Sequence, residues 1–60
     1  EPATAAFRRA IAVSPEDPAA HLGLARAHLA GGDRAAAREQ IAILRAIDPA
    51  LAARVAQEFQ

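Results

Sequence analysis

The sequence lacks cysteine, methionine, tryptophan, tyrosine and lysine, and it has only two phenylalanines among its 60 residues. Without cysteine, no disulfide, thiolate metal site or cysteine nucleophile can form. No apolar run approaches the roughly 18 residues that a membrane-spanning helix needs, so we expect no membrane insertion. A chain without cysteine suits either redox compartment. We expect a soluble protein, with the cytoplasm slightly favoured.

The charge balance argues against a nucleic-acid partner. Seven basic and seven acidic residues give a net charge of zero, whereas nucleic-acid-binding surfaces normally carry a basic excess. We therefore expect no nucleic-acid partner. All seven basic residues are arginines, which together with the many alanines favours a GC-rich bacterial source. The chain does not begin with methionine, so we expect a fragment or a processed product.

Residues that could carry covalent or phosphate chemistry are scarce. Ser14, the only serine, precedes Pro15 and is better explained as a helix terminator than as a nucleophile. Thr4 is the only threonine. The Gly31-Gly32 pair is not followed by the Lys-Ser/Thr of a phosphate-binding loop. We therefore expect neither enzyme activity nor a cofactor.

Apolar residues recur at three- and four-residue steps in four stretches, which predicts four helices and an all-α fold. Nothing alternates with the period of two that is typical of a strand. The predicted helices are Ala3–Val13, Pro18–Ala30, Arg34–Ile47 and Pro49–Phe59. Their predicted buried stripes are Ala3, Phe7, Ala10 and Ile11; His21, Leu24, Ala25 and His28; Ala37, Ile41, Leu44 and Ile47; and Leu51, Ala52, Val55, Ala56 and Phe59.

Short linkers carry the residues that begin and end these helices. Asp17, Asp33 and Asp48 each precede a predicted helix, where a carboxylate accepts hydrogen bonds from free backbone N–H groups. A proline follows Asp17 and Asp48, as is common at the first helical position. Gly31-Gly32 ends the second helix. Linkers this short force neighbouring helices to run antiparallel.

A partial repeat runs through the chain with an offset of 34 residues. In each copy a small residue is followed after four positions by a bulky one, and eight positions later by a proline that ends the helix. The upstream copy is Ala3, Phe7 and Pro15, and the downstream copy is Ala37, Ile41 and Pro49.

This period and pattern resemble the tetratricopeptide repeat. The segment His21-x2-Leu24-Ala25-x2-His28 is similar to the other half of that pattern, W-x2-L-G-x2-Y, with histidine at both aromatic positions. The resemblance implies antiparallel helix-turn-helix repeats, a fragment of about two repeats of an α-solenoid. Residues 1–15 would be the second helix of a preceding repeat and residues 16–48 a complete repeat.

The last segment, residues 49–60, would be either the first helix of a following repeat or a capping helix. Leu24, Ala25 and His28 match Val55, Ala56 and Phe59 at an offset of 31 residues, so three linker residues are missing relative to the period. The alternative to the repeat is an unrelated alanine-rich four-helix bundle.

The two histidines, His21 and His28, stand seven residues apart on one predicted helix. Their separation of about 10 Å along the helix axis is too long for one metal ion, so we expect no metal site. We interpret both as replacements for packing aromatics. A pH-sensitive seam between helices is the alternative.

The resemblance also implies a concave groove, lined by the first helix of each repeat, that holds a peptide segment of a partner protein. The chain would then act as a protein-interaction scaffold. The groove is apolar with one cation, Arg26, and suits an apolar segment with an acidic group. Core packing is the alternative for Leu22 and Leu29. The inner face would carry Ala19, Leu22, Arg26 and Leu29, then Ala50, Ala53, Gln57 and Gln60.

The alternative function for a short repeat fragment is structural self-association. Repeat arrays need capped ends and usually at least three units. If Phe7 and Phe59 are exposed at the open ends, copies of the chain would pair through them and form a homo-oligomer.

Overall fold

A computed structural model describes residues 3–58 and contains four α-helices. They are Ala3–Val13 (α1), Pro18–Ala30 (α2), Arg34–Ile47 (α3) and Pro49–Gln57 (α4). The described residues contain no strand, so the predicted all-α fold is confirmed. The bounds of α1, α2 and α3 agree with the prediction. The prediction for α4 was too long, because Glu58 already lies in a turn whose N–H donates to the Val55 carbonyl.

Aspartates begin three of the helices as the sequence predicted. The Asp17 carboxylate accepts a hydrogen bond from the N–H of Ala19 at 3.0 Å, and that of Asp33 accepts from Ala36 at 3.0 Å. Asp48 accepts from the N–H of Leu51 at 3.1 Å. Each bond satisfies one of the backbone donors that a helix leaves free in its first turn.

Helix α2 ends in a Schellman motif at the glycine pair. The N–H of Asp33 donates to the His28 carbonyl, and the N–H of Gly32 donates to the Leu29 carbonyl. Gly32 has a φ of +84°, which residues with a side chain rarely adopt. This turn reverses the chain within three residues and sets α3 antiparallel to α2.

The core lies where α2, α3 and α4 meet. Ala25 and Ala37 are fully buried, and both lie on the predicted buried stripes. The largest fully buried side chains are Leu44 of α3 and Val55 of α4. Buried residues of this core are Ala25, Ala37, Ile41, Leu44, Ala52 and Val55, with Ala20, His21 and Leu24 buried nearby on α2.

Helix α1 packs mainly on α2, and none of its residues is buried. The ring of Phe7 lies over Gly23, so close that a Cβ atom at position 23 would fall within 3.0 Å of three ring carbons. Phe7 is half-buried, which agrees in part with its place on the predicted buried stripe and not with the exposure that the self-association alternative assumed. Ala3, predicted on the buried stripe, is exposed, because only one flank of α1 is covered. Phe59 was placed on the buried stripe of the last helix and, in the self-association alternative, at an exposed open end. It lies outside the described residues.

His21 joins three parts of the chain through its ring. The ring is 4% exposed, with Nε2 at 2.8 Å from the Pro15 carbonyl oxygen and Nδ1 at 2.8 Å from Oε1 of Gln40. It thereby connects the linker after α1, helix α2 and helix α3. The interpretation of His21 as a packing residue is correct but incomplete, because the ring also makes two specific hydrogen bonds.

The hydrogen-bonding roles of the two His21 ring nitrogens follow from their partners. A carbonyl oxygen only accepts, so Nε2 of His21 must be a donor to Pro15. In the neutral ring Nδ1 is then an acceptor, and the Gln40 amide must turn its NH₂ group toward it.

The Phe7–Gly23 contact can be tested by a double substitution. Gly23→Ala should stabilise a bare helix by about 1 kcal/mol. Here we expect it to destabilise the protein by about 1 kcal/mol or more, because the new methyl group displaces the Phe7 ring. In a Phe7→Leu background the same substitution should become neutral or stabilising. Gly31→Ala, which meets nothing closer than 3.6 Å, is the control. Urea unfolding followed by circular dichroism measures all four variants, and an unconditional gain from Gly23→Ala would contradict the contact.

The His21–Gln40 hydrogen bond can be tested with a glutamine control. Gln40→Met keeps the side-chain length but removes the amide, and we expect a loss of about 1 kcal/mol in the free energy of unfolding. Gln57 is exposed, and no hydrogen bond of its side chain is described within residues 3–58. We therefore expect Gln57→Met to change stability by less than about 0.5 kcal/mol. Equal unfolding midpoints for the two variants would show that the bond contributes nothing.

Candidate functional site

The residues predicted to bind a partner lie on one stripe of α2 and one stripe of α4. Steps of three and four residues put each set on a single helix face. We call these two stripes together the inner face. Along it, Ala19, Arg26, Ala53 and Gln57 are exposed, and Leu22 and Leu29 are half-buried. Ala50 is also exposed, and Gln60 lies outside the described residues.

The two leucines of the inner face lie at the edge of the core. Leu22 and Leu29 each pack against the buried cluster, as do Leu51 and Ala56 of α4. Each leucine also keeps part of its surface open to solvent. Core packing, one of the two alternatives raised by the sequence, therefore accounts for part of the surface of each leucine.

Arg26 makes an ion pair that crosses from α2 to the end of α4. Its Nη2 lies 2.9 Å from Oε2 of Glu58, and the two side chains are 55% and 48% exposed. Only one guanidinium nitrogen takes part in this contact, although the group carries five N–H donors. The one cation of the inner face is therefore already next to a carboxylate, but it stays accessible to water.

Sequence reasoning missed Glu58 as a member of this site. The two residues are 32 positions apart, and nothing in local periodicity links them. A hint was available in the charge pattern. Asp17, Asp33 and Asp48 are placed by capping, which leaves Glu58, directly after α4, as an acid without an assigned role.

The remaining chemistry-bearing residues are dispersed. His28 is half-buried on α2, and it does not share the hydrogen bonds of His21. Within residues 3–58, no three histidine, aspartate or glutamate side chains come together as ligands for a metal ion. Over the same residues, no helix combines the length and the apolar character that crossing a bilayer requires.

Comparison with known protein families assigns the chain. A family model described as tetratricopeptide repeat matches residues 2–57. Searches of curated proteins and of solved structures find no match. Domains of this family generally mediate protein–protein interactions and are typically non-catalytic. The matched range covers nearly the whole sequence, and the four helices fit a helical repeat. The chain belongs to the tetratricopeptide-repeat family.

Proposed function

We propose that this chain is a protein-interaction module that holds a peptide segment of a partner along the inner face. Leu22, Arg26 and Leu29 would be the anchors, and the small or polar residues beside them would let the segment approach closely. Those residues are Ala19, Ala53 and Gln57. The observation that carries this proposal is the exposed Arg26 between two leucines that are each only half-buried.

The half-burial of the leucines supports their role as anchors. Because Leu22 and Leu29 pack on the core, their side chains are already held in place before a partner arrives. Binding then costs little side-chain entropy, which is a main expense of forming an interface. Covering the open part of each leucine with an apolar side chain would add further burial at roughly 25 cal/mol per Å².

Arg26 favours a partner segment with an acidic group. An exposed ion pair such as Arg26–Glu58 contributes at most about 1 kcal/mol, so a partner carboxylate can share or replace Glu58 at little cost. Glu58 would then be an internal substitute for the partner, holding the guanidinium near the inner face until binding occurs.

The repeat arrangement expected from the sequence fits this proposal. Residues 16–48 would form a complete repeat, residues 1–15 the second helix of a preceding repeat, and residues 49–60 a following first helix or a cap. Two features support it. Helices α2 and α3 share the most extensive packing. Helices α2 and α4 both begin with an aspartate N-cap followed by a proline.

Self-association remains a second candidate because of α1. Val13 is 87% exposed, and the rest of α1 is covered on one flank only. A second copy could cover this helix. Self-association was first considered because Phe7 and Phe59 could be exposed. Since Phe7 is half-buried over Gly23, it no longer supports this function.

Selection from a random peptide library displayed on phage tests the inner face. We expect the wild-type chain to enrich peptides that combine apolar residues with Asp or Glu. Arg26→Glu should remove the acidic preference, and Glu58→Gln should raise the affinity of a selected peptide several-fold by freeing Arg26. Arg8→Glu on α1 has the same charge change and should leave the selection unaltered.

Two results would contradict this use of the inner face. One is that no peptide is enriched, and the other is that the enriched peptides bind Arg26→Glu and Arg8→Glu equally well. Circular dichroism spectra of both variants serve to check that the helices are intact.

A further inference from the structure

Helix α3 carries a row of arginines on one flank. Arg34, Arg38 and Arg45 follow steps of four and seven residues, which places them within about 40° of one another around the helix axis. All three are exposed. We call Arg38 and Arg45, the two members used below, the arginine flank. They are seven residues and therefore about 10 Å apart along the helix.

The internal repeat shows that this flank is unusual. The 34-residue offset relates Arg38 to Thr4 and Arg45 to Ile11 of α1. Thr4 and Ile11 are half-buried on a helix whose main contact is with α2, the helix that follows it. The matching positions of α3 are exposed arginines, although α4 follows α3. The flank that is covered in one copy is therefore open and positively charged in the other.

The zero net charge of the chain conceals this local excess. Asp17, Asp33 and Asp48 each accept a hydrogen bond from a backbone N–H group at a helix start. Glu58 is paired with Arg26. Among residues 3–58, no carboxylate is described as a partner of Arg38 or Arg45.

The one acid on α3 does not compensate for the excess. Glu39 is adjacent to Arg38 in sequence, and adjacent residues on a helix do not face each other. Within residues 3–58, neither guanidinium group has a described ion pair, and the helix sets the two backbone positions about 10 Å apart.

We propose that the arginine flank binds an acidic helical segment of a partner protein. A partner helix with glutamates seven residues apart repeats the spacing of Arg38 and Arg45, so each guanidinium can meet one carboxylate. The neighbouring outer positions, Ala35, Ala42 and Ala46, are exposed and small, and they let another helix come close. The flank lies on α3 and is separate from the inner face of α2 and α4.

A synthetic helical peptide provides the probe. It is capped at both ends, built on alanine and carries glutamates at i, i+4, i+7 and i+11. Titration into the 60-residue chain is followed by fluorescence anisotropy at low salt and at about 0.15 M salt. We expect saturable binding that weakens with salt. Arg38→Glu/Arg45→Glu should lower the affinity at least tenfold, and Arg38→Gln/Arg45→Gln serves if the first variant loses its helicity.

The control variant is Arg8→Glu/Arg54→Glu. It changes the net charge equally at two exposed arginines of other helices, and we expect its affinity to stay within about twofold of the wild type. Arg26→Glu should likewise leave this peptide bound, which separates the arginine flank from the inner face. Loss of binding in Arg26→Glu alone would assign the peptide to the inner face and overturn the proposal for the flank.

Other outcomes would also overturn the proposal. If a peptide of the same composition with scrambled glutamates binds as tightly, the attraction is unspecific. The same holds if the control variant loses as much affinity as Arg38→Glu/Arg45→Glu. A short DNA duplex that binds the flank more tightly than the peptide would identify a phosphate-binding surface instead.

Discussion

The close crossing of α2 and α3 is the constraint on which the rest of this structure depends. Ala25 and Ala37 are both fully buried, and α2 and α3 share the most extensive packing among the described helices, as small residues at a helix crossing allow. The Schellman turn at Gly32 brings the helices antiparallel, and His21 ties α2 to α3 through Gln40. Once this pair is formed, α1 can pack on one side of α2 and α4 can close the core from the other end of the chain.

The pair also determines which surfaces stay open. Helix α4 adds Ala52 and Val55 to the core, and Leu22 and Leu29 stay half-buried at the edge of that core. Helix α1 is anchored mainly by the Phe7 ring over Gly23, which leaves Val13 uncovered. A small protein with so many alanines cannot bury all of its larger apolar side chains, so several of them stay half-covered.

Local sequence signals were sufficient for the helices and for most of the core. The aspartate caps, the two Asp-Pro starts and the glycine pair defined α2 and α3 to the residue and the start of α4, because each acts within a few positions along the chain. The three- and four-residue period identified Ala37, Ile41 and Leu44 as buried for the same reason.

Contacts between distant residues could not be predicted in this way. The pairs Arg26–Glu58 and His21–Gln40, and the seating of Phe7 on Gly23, depend on which helix faces belong together in space. The candidate site shows the same limit. Its stripe was predictable from spacing, whereas the partial burial of its leucines and the presence of Glu58 follow from where α4 lies.

Amide hydrogen exchange measured residue by residue by NMR tests most directly whether the α2–α3 pair is the centre of stability. If it is, the slowest-exchanging amides lie in the middle of α2 and α3, around Ala25 and Ile41. Those of α1 should exchange roughly tenfold faster or more through local opening. Protection of α1 equal to that of α2 and α3, or the slowest exchange in α1 or α4, would contradict this account.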